Sequence, residues 1–265
     1  MISLKDPSIE VKNVTCILGE WGEDKSNLSL KLRKGIGEIQ YLDPYTGAYL
    51  SKSEGAKATY VVPREMRRGN MNSKDLLAGW FRSSKRAEEV MFLLDIPDDN
   101  LNNISDVNLS KVYMSPLLKE NVKFAVIEDF FQLIEEQGKF RALKYLFKIL
   151  RSKRMDALLM ISTTDLLFPC DQIYVMYDGE IVEEGGGLLH PYTMALNNSS
   201  TKIGRKGEKL NVVEVGRGSP SGCVFHDYCQ FLKVDKVLQR KCRLEKPPMW
   251  DLGASKVKCW KYWHQ

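Results

Sequence analysis

The sequence predicts an α/β domain followed by a small cysteine-rich tail, on three observations. Short apolar runs end on polar residues, as in "KFAVIED" (123–129) and "DALLMIST" (156–163). Strands buried on both faces of a parallel sheet read this way. Between them, residues 130–154 place Ile134, Leu143, Leu146, Phe147 and Leu150 about one helical turn apart, with Lys144, Lys148 and Arg151 on the other side, the pattern of an amphipathic helix. Finally, four of the six cysteines, Cys223, Cys229, Cys242 and Cys259, fall in the C-terminal stretch, a clustering that core packing alone would scatter.

The remaining elements follow in order. "IEVKNVTCI" alternates apolar and polar residues and reads as a strand. "NLSLKLRKG" (27–35) repeats the alternation up to Gly35, and "EIQYLD" and "ATYVV" (58–62) are further strands. Residues 87–99 have helical spacing up to Pro97. "QIYVMYDGEIVEEG" (172–185) is a hairpin turning on Asp178-Gly179, a dipeptide suited to two-residue turns. Strand, helix, strand and hairpin give an α/β domain over 1–187. The Gly-, Ser-, Asn- and Lys-rich residues 197–222 read as a linker inside a C-terminal region, 188–265.

The 39 basic and 34 acidic residues leave a net charge of +5 over 265 residues. This is too dilute to call for nucleic acid, and it leaves acidic partners and membrane headgroups open. No apolar run has the length of a membrane span. The charged N-terminus lacks the apolar core of a signal peptide, which implies a cytoplasmic chain. Reducing conditions there disfavour structural disulfides, so Cys16 and Cys170 are expected as core thiols.

The tail spacing is C-x5-C-x12-C-x16-C. It has none of the close C-x2–4-C pairs usual for structural zinc, whereas iron–sulfur clusters accept irregular cysteine spacing. Zinc and unligated, packed thiols remain the alternatives. His226 is placed behind the ligands or at the surface. Trp250, Trp260, Tyr262 and Trp263 flank the last cysteines, where aromatics either shield a metal centre or form a docking patch.

"VMYDGEIVEEG" followed by His190-Pro191-Tyr192-Thr193, together with "SPSGCVFHDYC…CRLEKPP…C", resembles the C-terminal part of the ATP-binding subunits of peptide and nickel ABC importers. "EEVMFLLDIPDD…NLS" and the opening strands fit the same family. The resemblance implies an ABC ATPase-like fold, a [4Fe–4S] cluster on Cys223, Cys229, Cys242 and Cys259, and an intact ABC ATPase as partner. The departures from the family pattern imply loss of chemistry. No GK[ST] of a phosphate loop occurs, and the loop with most of its helix is expected to be deleted, with Gly35 and Gly37 unable to replace it. The signature, LSGGQ in the family, is expected at Leu109-Ser110 with its glycines deleted. Arg64 follows Pro63 where a glutamine is usual. Glu128-Asp129 reverses the Asp-Glu pair of the family, and Asp129 is one methylene shorter than the expected base. Thr163 or Thr164 stands where a histidine is expected. Loss of a single electrostatic donor costs about 3–4 kcal/mol of barrier in comparable sites, so neither ATP binding nor hydrolysis is expected. The resemblance thus implies a pseudo-ATPase, acting as scaffold or electron-relay subunit in a larger ATP-driven complex with metalloenzymes. The alternative is a degenerate subunit of a peptide or nickel importer, peripheral to the membrane beside its permeases.

Overall fold

The computed structural model describes residues 1–199, 216, 218, 221–233 and 236–263. In chain order the elements are β1 (Ile2–Leu4), β2 (Ile9–Val11), β3 (Val14–Leu18), α1 (Glu23–Lys34), β4 (Ile39–Leu42), β5 (Tyr49–Leu50), α2 (Lys52–Lys57) and β6 (Thr59–Val62). Then come α3 (Ser73–Phe81), α4 (Ser84–Leu94), α5 (Asp106–Met114), β7 (Phe124–Ile127), α6 (Glu136–Lys153) and β8 (Asp156–Ile161). β9 (Gln172–Tyr177), β10 (Glu180–Glu184), α7 (Pro191–Ser199), α8 (Lys236–Leu244), β11 (Trp250–Asp251) and β12 (Lys256–Val257) complete the order. The chain forms two compact units. One comprises Met1–Ser3, Glu10–Asn13 and Leu28–Leu159; the other comprises Leu4–Ile9, Val14–Asn27 and Met160–Gln265.

In the first unit, β6, β7 and β8 run parallel, with Phe124 opposite Thr59 and Asp156. Every residue of β7 is buried, as its unbroken apolar run requires. A second sheet has the order β2-β1-β4-β5. Ser83 caps α4 by accepting from Arg86 N, and Ser105 caps α5 by accepting from Asn108 N. Such side-chain caps satisfy donors left over at a helix start. The helix expected over 130–154 starts only at Glu136. Residues Phe130–Leu133 form a 3₁₀ turn whose stacked Phe130 and Phe131 rings are buried, and Ile134 is extended. The stretch 27–35, expected as a strand, belongs to α1. Leu28 and Leu32 are buried while Leu30 is 38% exposed, so the repeat that counts is one helical turn, i to i+4.

In the second unit, β3 is parallel to β9, from Thr15 opposite Gln172 to Leu18 opposite Val175. β9 and β10 form the expected hairpin, with Asp178 and Gly179 both at positive φ, as a two-residue turn matched to strand twist needs. The outer edge of β10 pairs with β12, Glu183 opposite Val257, and β12 pairs with β11. The tail therefore continues the hairpin and covers an edge that would otherwise expose unpaired backbone groups. The compact units accordingly do not divide at residue 187.

Candidate functional site

The segment from β3 into the start of α1, Val14–Asn27 of the second compact unit, carries the features of a phosphate loop. β3 is buried throughout and ends at Leu18. Gly19 follows at φ 150°, and a Cβ there would lie 2.3 Å from Met176 O, so only glycine fits. Glu20, Trp21 and Gly22 lead into α1 at Glu23. The residues read G-E-W-G-E-D-K-S from Gly19 to Ser26. This is GxxxxGK[ST] with Asp24 in place of the second glycine. The loop expected to be deleted is therefore in place, altered at one position. Gly35 and Gly37 lie beyond the far end of α1.

Lys25 is 1% exposed, and its ammonium donates to Gly19 O (2.6 Å) and Ile161 O (2.9 Å). A helix N-terminus favours anions through its dipole and free N–H groups. In α1 the side chains of Glu23 and Asp24 already bring negative charge to the first turn. The Tyr192 hydroxyl accepts from Glu20 N (2.9 Å) and its ring lies 4.6 Å from that of Tyr177. A cavity of about 300 Å³ beside the loop is lined by Glu20, Trp21, Asp24, Lys25, Tyr177 and Asp178, among others. Partial burial raises the Glu20 carboxyl pKa, against the opposing charge of Lys25.

The His190-Pro191-Tyr192-Thr193 motif starts α7 and is held by Glu183 of β10. The buried Glu183 carboxylate accepts from Leu189 N, His190 N and Thr193 Oγ1, the last two at 2.7 and 2.8 Å. It serves as a helix cap supplied from a neighbouring strand. His190 Nδ1 accepts from Tyr192 N (3.1 Å), and burial lowers the imidazole pKa to about 3.

The remaining predicted remnants lie in the first unit, except Thr163. Glu128 Oε2 accepts from Arg64 N (2.9 Å), and its Oε1 accepts from Ser29 Oγ (2.7 Å). Asp129 is fully buried at the head of the 3₁₀ turn. Ser110, expected as the signature serine, sits inside α5 with Oγ on Val107 O. The serine at a helix start is Ser105, in Ile104-Ser105-Asp106-Val107. Asp106 and Val107 follow it as the first residues of α5. Thr163 is extended ahead of a 3₁₀ turn, and Thr164 Oγ1 donates to Asn197 Oδ1 (3.1 Å).

Of the tail cysteines, Cys223, Cys242 and Cys259 are buried and Cys229 is partly exposed, all as free thiols. Cys223 N donates to Cys242 O (2.7 Å). Burial pushes the Cys223 thiol up to about 11 and Cys259 up to about 12, and the charges of Cys223 and Cys229 both add to the rise at Cys259. Cys223, Cys229 and Cys259 thus act on one another electrostatically, and Cys242 joins them through its backbone. Among the described residues no group of three or more His, Cys, Asp or Glu is arranged to hold a metal ion. His226 Nδ1 lies 2.8 Å from Cys223 O, and its Nε2 lies 3.0 Å from Asp227. Trp260 stacks edge-on against Trp250 and Trp263. Cys16 and Cys170, expected as core thiols, are instead joined by a disulfide. Cys16 pairs with Ile173, three residues beyond Cys170, and the Cα atoms of Cys16 and Cys170 lie 5.8 Å apart, within bridging range.

The architecture is shared with ABC transporter ATP-binding cassettes. cbiO1 from Clostridium perfringens, part of the ABC transporter complex cbiONQ, superposes with a TM-score of 0.56 at 15% identity, over 67% of this chain and 78% of its own. A dimeric bacterial ABC transporter cassette gives 0.53 at 14% identity, over 67% and 88%. A bacterial Atm1-family ABC exporter with ATP bound gives 0.53 at 17%, over 68% and 35%. The chain has the ABC cassette fold. In sequence it is similar to the dipeptide transport ATP-binding protein DppD of Haemophilus influenzae, 32% identical over 123 residues. That match spans 42% of this chain and 35% of the length of the relative. No protein-family model matches the chain. Among the described residues no helix is long and apolar enough to cross a membrane.

Proposed function

We propose that the chain is an ABC ATPase-like subunit of a peptide-import assembly whose own site no longer grips a nucleoside triphosphate. The observation that carries this reading is the loop Gly19–Ser26. It keeps the strand, the first glycine, the lysine and the serine of a phosphate loop, but sets the Asp24 carboxylate where backbone approach is needed. Glycine at that place leaves the N–H groups open to a phosphate. A carboxylate there opposes the charge of the phosphate, and the lysine that should meet it lies buried on two carbonyls. Ser105 caps α5 as a signature serine would, and on this reading Asp106 and Val107 take the places of the signature glycines. Because cassette sites are shared across a dimer, this chain would disable both sites of a pair with an intact ATPase. Similarity to DppD supports placing the assembly in peptide import. Affinity purification tests this: recovery with integral membrane permeases is expected, and recovery with soluble metalloenzymes alone would overturn it.

The four free tail thiols support a second component of the reading. Cys223, Cys229, Cys242 and Cys259 would hold a [4Fe–4S] cluster, or zinc, after closing in on the metal and losing their protons, and a cluster would supply a structural tie or a one-electron relay. Metal binding would lower thiol pKa values that are now raised. Iron analysis of anaerobically prepared protein, with visible absorbance bleached by dithionite, tests the cluster. Zinc at one equivalent would replace it, and absence of both metals would remove it.

A further inference from the structure

Charge is unevenly placed along the chain. Residues 236–263 contain eight Lys and Arg against two Asp and Glu, a net +6 that exceeds the +5 of the whole sequence. Lys246 and Lys258 meet Glu180, and Lys256 meets Glu184. The rest of this charge lies on or beside α8, whose nine residues include four cations and no acid.

The geometry of α8 sorts these residues by face. Val237 and Leu244 are seven apart, hence on one side of the helix, and are 71% and 65% exposed. Arg240 lies between them on the same side, with Lys236 and Arg243 flanking, and all three are exposed. Cys242 is buried on the opposite side. Trp263, 42% exposed, extends the patch, since Lys241 Nζ lies 3.1 Å from its ring centre. An aliphatic ridge edged by cations and an indole gains from a bilayer interface on both counts: acyl chains accept the ridge and acidic headgroups the charges. A nucleic-acid backbone would use only the cations.

We propose that this face of α8, with Trp263, docks directly on the headgroup region of an anionic bilayer. The contact is separate from the cassette reading, because it needs neither a permease nor a nucleotide.

Vesicle flotation of the full chain tests it, with phosphatidylcholine vesicles containing phosphatidylglycerol against pure phosphatidylcholine. Binding is expected only to the acidic vesicles, falling steeply as salt rises. Arg240→Gln/Arg243→Gln should weaken it by roughly 20-fold. Val237→Ser/Leu244→Ser should weaken it several-fold at low salt, while far-ultraviolet circular dichroism and the urea unfolding midpoint stay as in the parent. Equal binding to neutral vesicles, no binding at low salt, or indifference to both variants would overturn the proposal. Binding to an RNA oligonucleotide in place of vesicles, lost in the arginine variant and kept in the aliphatic one, would also overturn it.

Discussion

Lys25 and His190 show how single residues are fixed by burial. The Lys25 ammonium satisfies two buried carbonyls, Gly19 O and Ile161 O. Lys25→Met leaves both acceptors without that donor, which costs about 1–3 kcal/mol each in buried surroundings. We expect urea unfolding to show a loss of stability of at least 1 kcal/mol; an unchanged midpoint would mean that the pair contributes nothing. His190 acts through pH. Burial lowers its folded-state pKa to about 3, against an unperturbed 6.5. The unfolded chain therefore binds a proton that the folded chain refuses between these values. Its contribution reduces stability as pH falls from 6.5 towards 3, with a slope of up to about 1.4 kcal/mol per pH unit. His190→Gln should flatten that decline in unfolding curves taken at pH 4.5 and 7. The same slope in the variant would assign the acid limb to other groups.

At the scale of elements, Glu183 joins β10 to the start of α7. Glu183→Ala leaves Leu189 N, His190 N and Thr193 Oγ1 without their acceptor, and we expect a cost of about 3 kcal/mol or more by denaturant titration. A change under about 1 kcal/mol would mean that the helix start finds other acceptors. The hairpin, β7, β8, α4 and most of α6 are legible in the sequence because their periodicity or turn residues leave one solution. Other stretches were ambiguous for physical reasons. Leu28, Leu30 and Leu32 fit a two-residue repeat, and the i, i+4 pair Leu28–Leu32 that decides for a helix is hidden inside it. The loop does not match GK[ST] because of Asp24 alone; a strand followed by glycine, five residues, lysine and serine identifies it. Leu109-Ser110 matches two letters of LSGGQ but lies inside α5, whereas Ser105 has the capping position at its start. The β12–β10 pairing joins residues more than 70 apart, and no local pattern announces it.

On the scale of the whole molecule, the disulfide and the altered loop bear on one element, since Cys16 lies in β3, the strand that delivers Gly19. A bridge spanning 154 residues of chain removes unfolded-state entropy worth up to about 5 kcal/mol. Thiol titration of the unfolded, unreduced, metal-free protein should count four cysteines, with Cys16 and Cys170 unreactive. A count of six would show that the bridge does not form. We propose that Asp24 bars triphosphate from the Gly19–Ser26 loop. Isothermal titration with Mg-ATP tests this most directly. No saturable binding by the parent chain up to about 1 mM is expected, with at least tenfold tighter binding by Asp24→Gly. Saturable binding by the parent below about 0.1 mM, unchanged in Asp24→Gly, would contradict it.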